Sequence, residues 1–158
     1  MRSIVWYFDT NILVYSITAV DEAKMHYSQG LINDSVRSNR LLISPVTLQE
    51  LIFVLAKLRV EKQVLKDSFH SFLKYSKHEI TSSIIKDAFE LCDKIDFCRS
   101  VNDAIHLKYA EKYCEKLLTF DGDFKKFKPH SELDIEIIDA VPEPDIEPVQ
   151  PDQSEEEN

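Results

Sequence analysis

The sequence of 158 residues contains only two glycines, Gly30 and Gly122, and this scarcity excludes two common classes of nucleotide-binding protein. Both the Rossmann dinucleotide-binding fingerprint and the P-loop need several glycines, because the backbone must approach the phosphates closely. Cysteine is also sparse: Cys92, Cys98 and Cys114 are an odd number at irregular spacing and form no CxxC pair. Such a set indicates reduced thiols in a cytoplasmic protein rather than a disulfide framework or a zinc site.

Long apolar runs are missing as well. No segment approaches the roughly 18 apolar residues that a membrane span requires. The apolar run at residues 4–8 ends at Asp9, and no small-residue cleavage site follows it. We therefore expect no signal peptide and no contact with a membrane, and we predict a cytoplasmic location.

Acidic residues are in excess, but they are unevenly distributed. The 28 acids and 19 bases give a net charge of −9, which is unfavourable for an RNA-binding protein. Seven of the acids follow Val141 in a segment without Lys or Arg, so 21 acids and 19 bases remain before it, a net charge of −2. A nearly neutral body argues only weakly against a nucleic-acid substrate.

Composition divides the chain into a domain and a tail. Apolar residues make up 44% of the sequence, which is enough for one packed core in a chain of this length. From about Pro142 onward the sequence is rich in Pro, Glu, Asp and Gln and has little to bury. We predict a folded domain over residues 1–141 and a disordered acidic tail over residues 142–158.

Short apolar runs alternate with helical patterns along the domain. Four runs predict buried strands, at residues 4–8, 41–43, 117–120 and 135–138. Apolar residues at helical spacing predict helices at about residues 11–17, 21–37, 45–59, 61–77, 82–91 and 100–114. Several apolar residues are predicted to face the core from these helices, among them Ile52, Leu58, Val64, Leu73, Ile85 and Phe89. Strands separated by helices predict a three-layer α/β/α sandwich with a central, mainly parallel sheet.

Acidic residues directly follow two of the predicted strands. Asp9 comes after the first strand and Asp121 after the strand at 117–120. Because ligands of a parallel sheet bind beyond the carboxyl ends of its strands, both side chains belong to the binding edge. Carboxylates that converge from separate segments suit Mg²⁺, which completes its shell with water and phosphate oxygens.

Each acid of the candidate site also has an ordinary structural explanation. Asp9 alone is consistent with an Asx turn that caps the next helix, and Asp121 with a simple turn. Glu50 lies within a predicted helix, where it is equally a solvated surface residue. Asp103 follows Ser100 by three positions, an arrangement close to a capping box. Only joint placement of the acids distinguishes a site from these alternatives.

Four segments in order along the chain, between residues 4 and 124, resemble the motifs of PIN-domain proteins of the VapC toxin type. They read VWYFDTNILVY, ISPVTLQEL, SVNDAIHLKYA and LLTFDGDF. The resemblance implies an endoribonuclease that depends on Mg²⁺ or Mn²⁺, commonly the toxin of a type II toxin–antitoxin pair. It also implies that four acids hold the metal and carry out catalysis: Asp9, Glu50, Asp103 and Asp121, called here the acidic quartet.

The resemblance assigns supporting roles to further residues. Asn11 and Thr119 are expected to orient carboxylates or water, and Asp123 is a neighbouring acid whose role varies. His106 stands one helical turn after Asp103, where many relatives have a small or apolar residue. Packing is its more ordinary role, and a proton transfer or a phosphate contact is the alternative.

Partners follow from the same resemblance, which implies an RNA substrate, a homodimer and a small cognate antitoxin. Bases near the acidic quartet are candidates for RNA phosphate contacts, and each is equally a solvated surface residue: Arg99, Lys125, Lys126 and Lys128. The helices at 45–59 and 61–77 carry apolar surface for a partner. Phe53 lies outside their buried stripe.

Three other functions fit parts of the pattern. A haloacid-dehalogenase-like phosphatase needs a second Asp two residues after the first, where this chain has Asn11. A receiver domain needs an early acidic pair and a Lys after its fifth strand, and neither is evident. The remaining alternative is a PIN domain without catalysis that binds RNA or protein, and retention of all four acids argues against it.

Overall fold

The computed structural model describes residues 4–142 of the chain. The predicted tail lies outside the described residues from position 143 onward, so the division into domain and tail stays a prediction. Among the described helices, none combines the length and the hydropathy of a membrane span.

The described residues form a parallel sheet with helices on both of its faces. Its strands are β1 (Trp6–Phe8), β2 (Leu41–Leu42), β3 (Lys116–Thr119) and β4 (Asp134–Ile137). The α-helices are α1 (Thr10–Ile17), α2 (Glu22–Arg37), α3 (Pro45–Lys57), α4 (Lys62–Leu73), α5 (Ser82–Asp96) and α6 (Val101–Tyr113), and a 3-10 helix covers Gly122–His130. The strand order is β2-β1-β3-β4, and all neighbouring strands are parallel. The predicted α/β/α sandwich is confirmed.

Alternate residues of the strands fill two separate apolar cores. Tyr7 and Leu117 belong to the core formed with α5 and α6, whereas Phe8 and Leu118 belong to the core formed with α1, α3 and α4. All four side chains are buried. A strand buried on both faces has no polar alternation, which is why these segments are continuous apolar runs in the sequence.

The first strand is shorter than predicted. It begins at Trp6, and Ile4 is 51% exposed. The reason is that pairing on both sides of β1 begins at Trp6, with Leu41 of β2 and Lys116 of β3 as its partners. An apolar run therefore overestimates the strand, because only its central residues form regular bridges to both neighbours.

The helices leave more apolar surface in solvent than predicted. The core-facing assignment is wrong for Ile52, Leu58, Val64, Leu73, Ile85 and Phe89, which are 38–55% exposed, and Phe53 is 63% exposed. On α3 the sheet covers one stripe only, which consists of Leu48, Leu51 and Leu55. Apolar positions one step around the helix are left at the surface, where they form an apolar face on α3 and α4.

Candidate metal centre

The acidic quartet lines a single cavity of about 620 Å³. Asp9 and Asp121 follow β1 and β3, which are neighbours in the sheet. Glu50 reaches the cavity from α3, and Asp103 reaches it from the first turn of α6. Four elements distant in sequence thus bring four carboxyl groups to the carboxyl edge of the sheet, where a ligand of such a sheet is expected.

Asp9 is the most constrained acid of the quartet. Its side chain is buried and caps α1, because Oδ1 accepts a hydrogen bond from the Thr10 backbone amide at 2.7 Å. Oδ2 accepts from the Thr119 hydroxyl at 2.7 Å and from the Asn11 amide at 3.1 Å. Burial raises the pKa of Asp9 above its usual value, although His106, Thr119 and Thr10 oppose the rise. The cap considered from sequence is real, and it fixes this carboxylate in the cavity wall.

Thr119 and Asn11 both contact the carboxylates, as the resemblance implies. The buried Thr119 hydroxyl donates to Asp9 and accepts from the Asn11 amide at 3.0 Å and from the Asp121 backbone amide at 2.9 Å. The Asn11 carbonyl accepts from the Phe120 amide at 3.1 Å. These bonds tie the end of β1 to the end of β3.

Glu50 is not a solvated surface residue. Its Oε2 accepts from the Thr10 hydroxyl at 2.5 Å and from the His106 Nε2 at 2.9 Å. Burial alone would raise the pKa of Glu50, but the hydrogen bond and the charge of His106, together with Thr10, lower it below the usual value. Glu50 is therefore held as an anion in a fixed orientation.

Asp103 differs from Asp9 and Glu50 because its carboxylate has no donor among the described residues. Ser100 does not cap α6 through its side chain, so the capping-box explanation of Asp103 is wrong. Burial and the negative charges of Asp9 and Asp121 raise the pKa of Asp103 to about 6. An acid with like charges beside it and no donor is stabilised by a cation.

The family of the chain follows from comparison with known proteins. A family model of the PIN domain matches residues 6–128. The chain belongs to the PIN domain family. A search among curated proteins finds no match.

Solved structures similar to this PIN domain include two of VapC systems. One is a chain of VapBC2 from Rickettsia felis, solved with a DNA fragment from their promoter; its TM-score is 0.63 at 20% identity, over 85% of this chain and 98% of that one. The other is VapC20 of Mycobacterium tuberculosis, described as a toxin that cleaves the sarcin–ricin loop; its TM-score is 0.62 at 18% identity, over 87% of this chain and 99% of that one. At these identities the likeness shows a shared fold.

His106 of this PIN domain lies directly beside two acids of the quartet. Oxygen and nitrogen atoms of Asp9, Glu50 and His106 lie within 4.8 Å of one another. Burial opposes the charge of His106, but the hydrogen bond to Glu50 and the charges of Asp9, Glu50 and Asp103 raise its pKa overall. Both ring nitrogens are occupied, Nδ1 by Tyr7 and Nε2 by Glu50, and the ring does not line the cavity. A cation in the cavity would therefore meet carboxylates rather than this imidazole.

The remaining predicted residues lie at the margin of the cavity. Asp121 lines it and also caps the 3-10 helix by accepting from the Asp123 amide at 2.8 Å, so the turn considered from sequence is present too. Asp123 is exposed and does not line the cavity. Lys126 binds Asp96 at 3.1 Å and the Ser100 hydroxyl, which anchors the start of α6.

The other predicted bases have looser contacts. Lys125 lies 3.8 Å from Asp139 and is exposed, as are Arg99 and Lys128. These three bases are therefore more accessible to a phosphate than Lys126, which binds Asp96 closely.

Proposed function

We propose that this PIN domain is a metal-dependent endoribonuclease and the toxin of a toxin–antitoxin pair. The observation that carries the proposal is the convergence of the acidic quartet on one cavity, with Asp103 lacking any donor among the described residues. A structural role for Asp103 would give its carboxylate a hydrogen-bond partner. Its environment instead favours a bound cation.

The donor set fits Mg²⁺ or Mn²⁺. Asp9, Glu50, Asp103 and Asp121 offer hard carboxylate oxygens from an open cavity, as an ion that also binds water and phosphate requires. When bound, such an ion lowers the pKa of water and neutralises charge that develops on a phosphodiester. We expect cleavage products with 5′-phosphate and 3′-hydroxyl ends, as in the PIN nuclease pattern.

Two of the carboxylates are held rigidly, whereas a third can change its orientation. Asp9 and Glu50 are each fixed by at least two donors, so they enter the reaction already oriented. Asp103 is free to adjust and is unfavourable as an anion until a cation arrives. Two fixed carboxylates, Asp9 and Glu50, together with one that can change its orientation, Asp103, favour reversible binding of the ion and the substrate.

The walls of the cavity suit unpaired RNA. Val14, Tyr15, Phe53 and Val54 line it beside the carboxylates. Lys24 lies over the Tyr15 ring, with its Nζ 4.7 Å from the ring centroid. Aromatic rings stack on bases that are not paired, and a nearby ammonium group binds phosphate. We infer that the substrate is single-stranded or looped RNA.

A second protein chain fits the apolar face on α3 and α4. Five apolar side chains are exposed on or directly after these two packed helices, and grouped exposed apolar residues are typical of interaction surfaces: Ile52, Phe53, Leu58, Val64 and Leu73. A small antitoxin that covers this face would also reach the cavity, because Phe53 belongs to both. We further propose that the chain forms a homodimer and acts in the cytoplasm.

The first prediction is that purified protein, freed of any antitoxin, cleaves cellular RNA in the presence of Mn²⁺ or Mg²⁺. Excess EDTA should stop cleavage, and excess Mg²⁺ added afterwards should restore it, because the carboxylates need an ion to bind phosphate. Mapping of new 5′ ends on total RNA measures both activity and target. Cleavage that continues in EDTA would contradict the proposal, and RNA binding without any cleavage would favour a non-catalytic PIN domain.

The second prediction concerns the acidic tail. Deletion of residues 142–158 should leave the melting temperature nearly unchanged, because the segment contains little apolar surface to bury. The deletion removes seven negative charges, so the affinity for RNA should rise at low salt and less at high salt. Thermal unfolding and RNA binding at two salt concentrations measure these effects. A drop of several degrees would mean that the tail docks on the domain.

A further inference from the structure

Tyr7 places a hydroxyl group in the centre of the domain. The residue is fully buried in β1, two positions before Asp9. Its hydroxyl lies 2.8 Å from the Ser44 hydroxyl, 2.8 Å from the Thr47 hydroxyl and 2.5 Å from His106 Nδ1. A buried hydroxyl is costly unless it is hydrogen-bonded, and phenylalanine would fill the same space without that requirement. Three partners on one oxygen indicate a specific role.

The directions of these hydrogen bonds follow from the groups involved. The Glu50 carboxylate only accepts, so the proton between it and His106 belongs to Nε2. When the ring is protonated, Nδ1 donates to the Tyr7 oxygen, and when it is neutral, Nδ1 accepts from the Tyr7 hydroxyl. In either state, the contact with Tyr7 holds the ring with Nε2 directed at Glu50.

The start of α3 supplies donors to Tyr7. Ser44 and Thr47 form the capping box of this helix, in which the Ser44 hydroxyl accepts from the Thr47 amide and the Thr47 hydroxyl accepts from the Ser44 amide. The two hydroxyl groups lie 3.1 Å from each other, and both are hydrogen-bonded to the Tyr7 oxygen. The hydrogen bonds thus lead from the cap of α3 through Tyr7 and His106 back to Glu50 on the same helix.

We propose that Tyr7 and His106 are positioning residues, which hold the Glu50 carboxylate in the orientation that the metal centre needs. The inference rests on the proposed function, since it assigns a task within that centre. The path joins β1, which Asp9 directly follows, with α3 and α6, which carry Glu50 and Asp103. Partners that orient a metal-binding carboxylate affect the affinity for the ion although they do not touch it.

Two substitutions of His106 separate the hydrogen bond from the charge. His106→Gln keeps an amide donor within reach of Glu50, whereas His106→Leu fills a similar volume without a donor. Both remove the positive charge that an imidazolium places beside the carboxylates, so any difference between them reports the donor alone. We expect the leucine variant to bind Mn²⁺ and to cleave RNA about 10–100-fold less well than the glutamine variant.

Tyr7→Phe tests the same path with a smaller change. It removes one oxygen and leaves His106 Nδ1 without the partner that holds the ring in place. Because Tyr7 is fully buried and cannot touch RNA, we expect a kcat about tenfold lower with little change in KM. If His106→Leu fails to fold by circular dichroism, this variant decides the question.

The measurements are Mn²⁺ affinity by electron paramagnetic resonance and cleavage kinetics on one RNA at one pH. A leucine variant weaker than the glutamine variant in both readouts supports the inference, and so does the kcat loss in Tyr7→Phe. If wild type binds Mn²⁺ and cleaves RNA, while the two His106 variants are equal and Tyr7→Phe is unchanged, this inference alone is overturned. A wild-type protein that neither binds Mn²⁺ nor cleaves RNA overturns the proposed function first, and this inference with it.

Discussion

Asp103→Asn is expected to lower RNA cleavage by orders of magnitude without destabilising the metal-free protein. Asparagine keeps the shape of the side chain but removes the negative charge that a divalent ion requires. Asp103 has no donor among the described residues, so the substitution breaks no hydrogen bond there. A residue that served only to start α6 would tolerate the exchange.

The difference in stability between metal-free Asp103→Asn and metal-free wild type should depend on pH in a defined direction. The pKa of Asp103 is about 6 in the folded protein and 3.8 for an ordinary aspartate, so the folded state binds its proton more tightly. The free energy of unfolding of wild type therefore falls as pH rises from about 4 to about 6. Asparagine does not titrate, and the advantage of the variant is absent below this range and complete above it.

The size of that advantage follows from the same difference in pKa. It corresponds to at most about 3 kcal/mol. Water in the open cavity screens part of the repulsion, so we expect a gain of about 1–2 kcal/mol at pH 7. Urea unfolding in EDTA at pH 4 and pH 7 measures this gain.

Mn²⁺ should stabilise Asp103→Asn less than it stabilises wild type, which is opposite to the order expected without metal. An ion that binds only the folded state raises the melting temperature in proportion to its affinity, and the increment should shrink in the variant. Asp87→Asn is the matched control, because it removes the same charge from an exposed position of α5 outside the cavity. An Asp103 variant that cleaves like wild type and keeps the full Mn²⁺ increment would show that Asp103 is structural.

The second large effect is expected from Thr119→Val, which replaces a buried hydroxyl by a methyl of the same shape. The hydroxyl holds Asp9, Asn11 and the Asp121 amide together. A hydrogen bond to a charged group contributes about 1.5–3 kcal/mol, and an unpaired buried amide costs about 1–3 kcal/mol. Because Asn11 still donates to Asp9, we expect the free energy of unfolding to fall by about 2–4 kcal/mol.

Thr119→Val should also reduce cleavage about 10–100-fold, because the hydroxyl orients Asp9 and helps to hold its pKa down. Thr119→Ser is the matched control. It keeps all three hydrogen bonds and loses only a buried methyl, at about 1 kcal/mol. Urea unfolding and cleavage kinetics of both variants separate the hydroxyl from the methyl. If valine cleaves as well as serine does, the hydroxyl does not contribute to the site.

The sheet and the cap of α3 were accessible from the sequence because they depend on local patterns. Continuous apolar runs identify strands that are buried on both faces, and alternation with helices makes the sheet parallel. Ser44 caps α3 and Pro45 is its first residue, a local arrangement because a cap is a contact between residues three positions apart. The first residue of a strand could not be predicted, because β1 begins only where its pairing with both neighbours begins.

The positions of the acidic quartet were predicted in part. Asp9 and Asp121 follow strands, and the parallel sheet then brings them to one edge. Glu50 and Asp103 were selected only by resemblance, because nothing local distinguishes a helical acid that faces a cavity from one that faces solvent. The structure places all four around one cavity, and their role as metal ligands stays a prediction.

Two features depend on tertiary structure alone, the path through Tyr7 and His106 and the exposed apolar face. Tyr7 and His106 are 99 positions apart, and His106 and Glu50 are 56 apart, so no motif could reveal that they form one path. The exposure of the apolar face on α3 and α4 depends on how much of each helix the sheet covers. Which segments become strands and helices could be predicted from the sequence, because that preference is set by neighbouring residues. Which side chains meet, and which remain in solvent, depends on how distant elements pack.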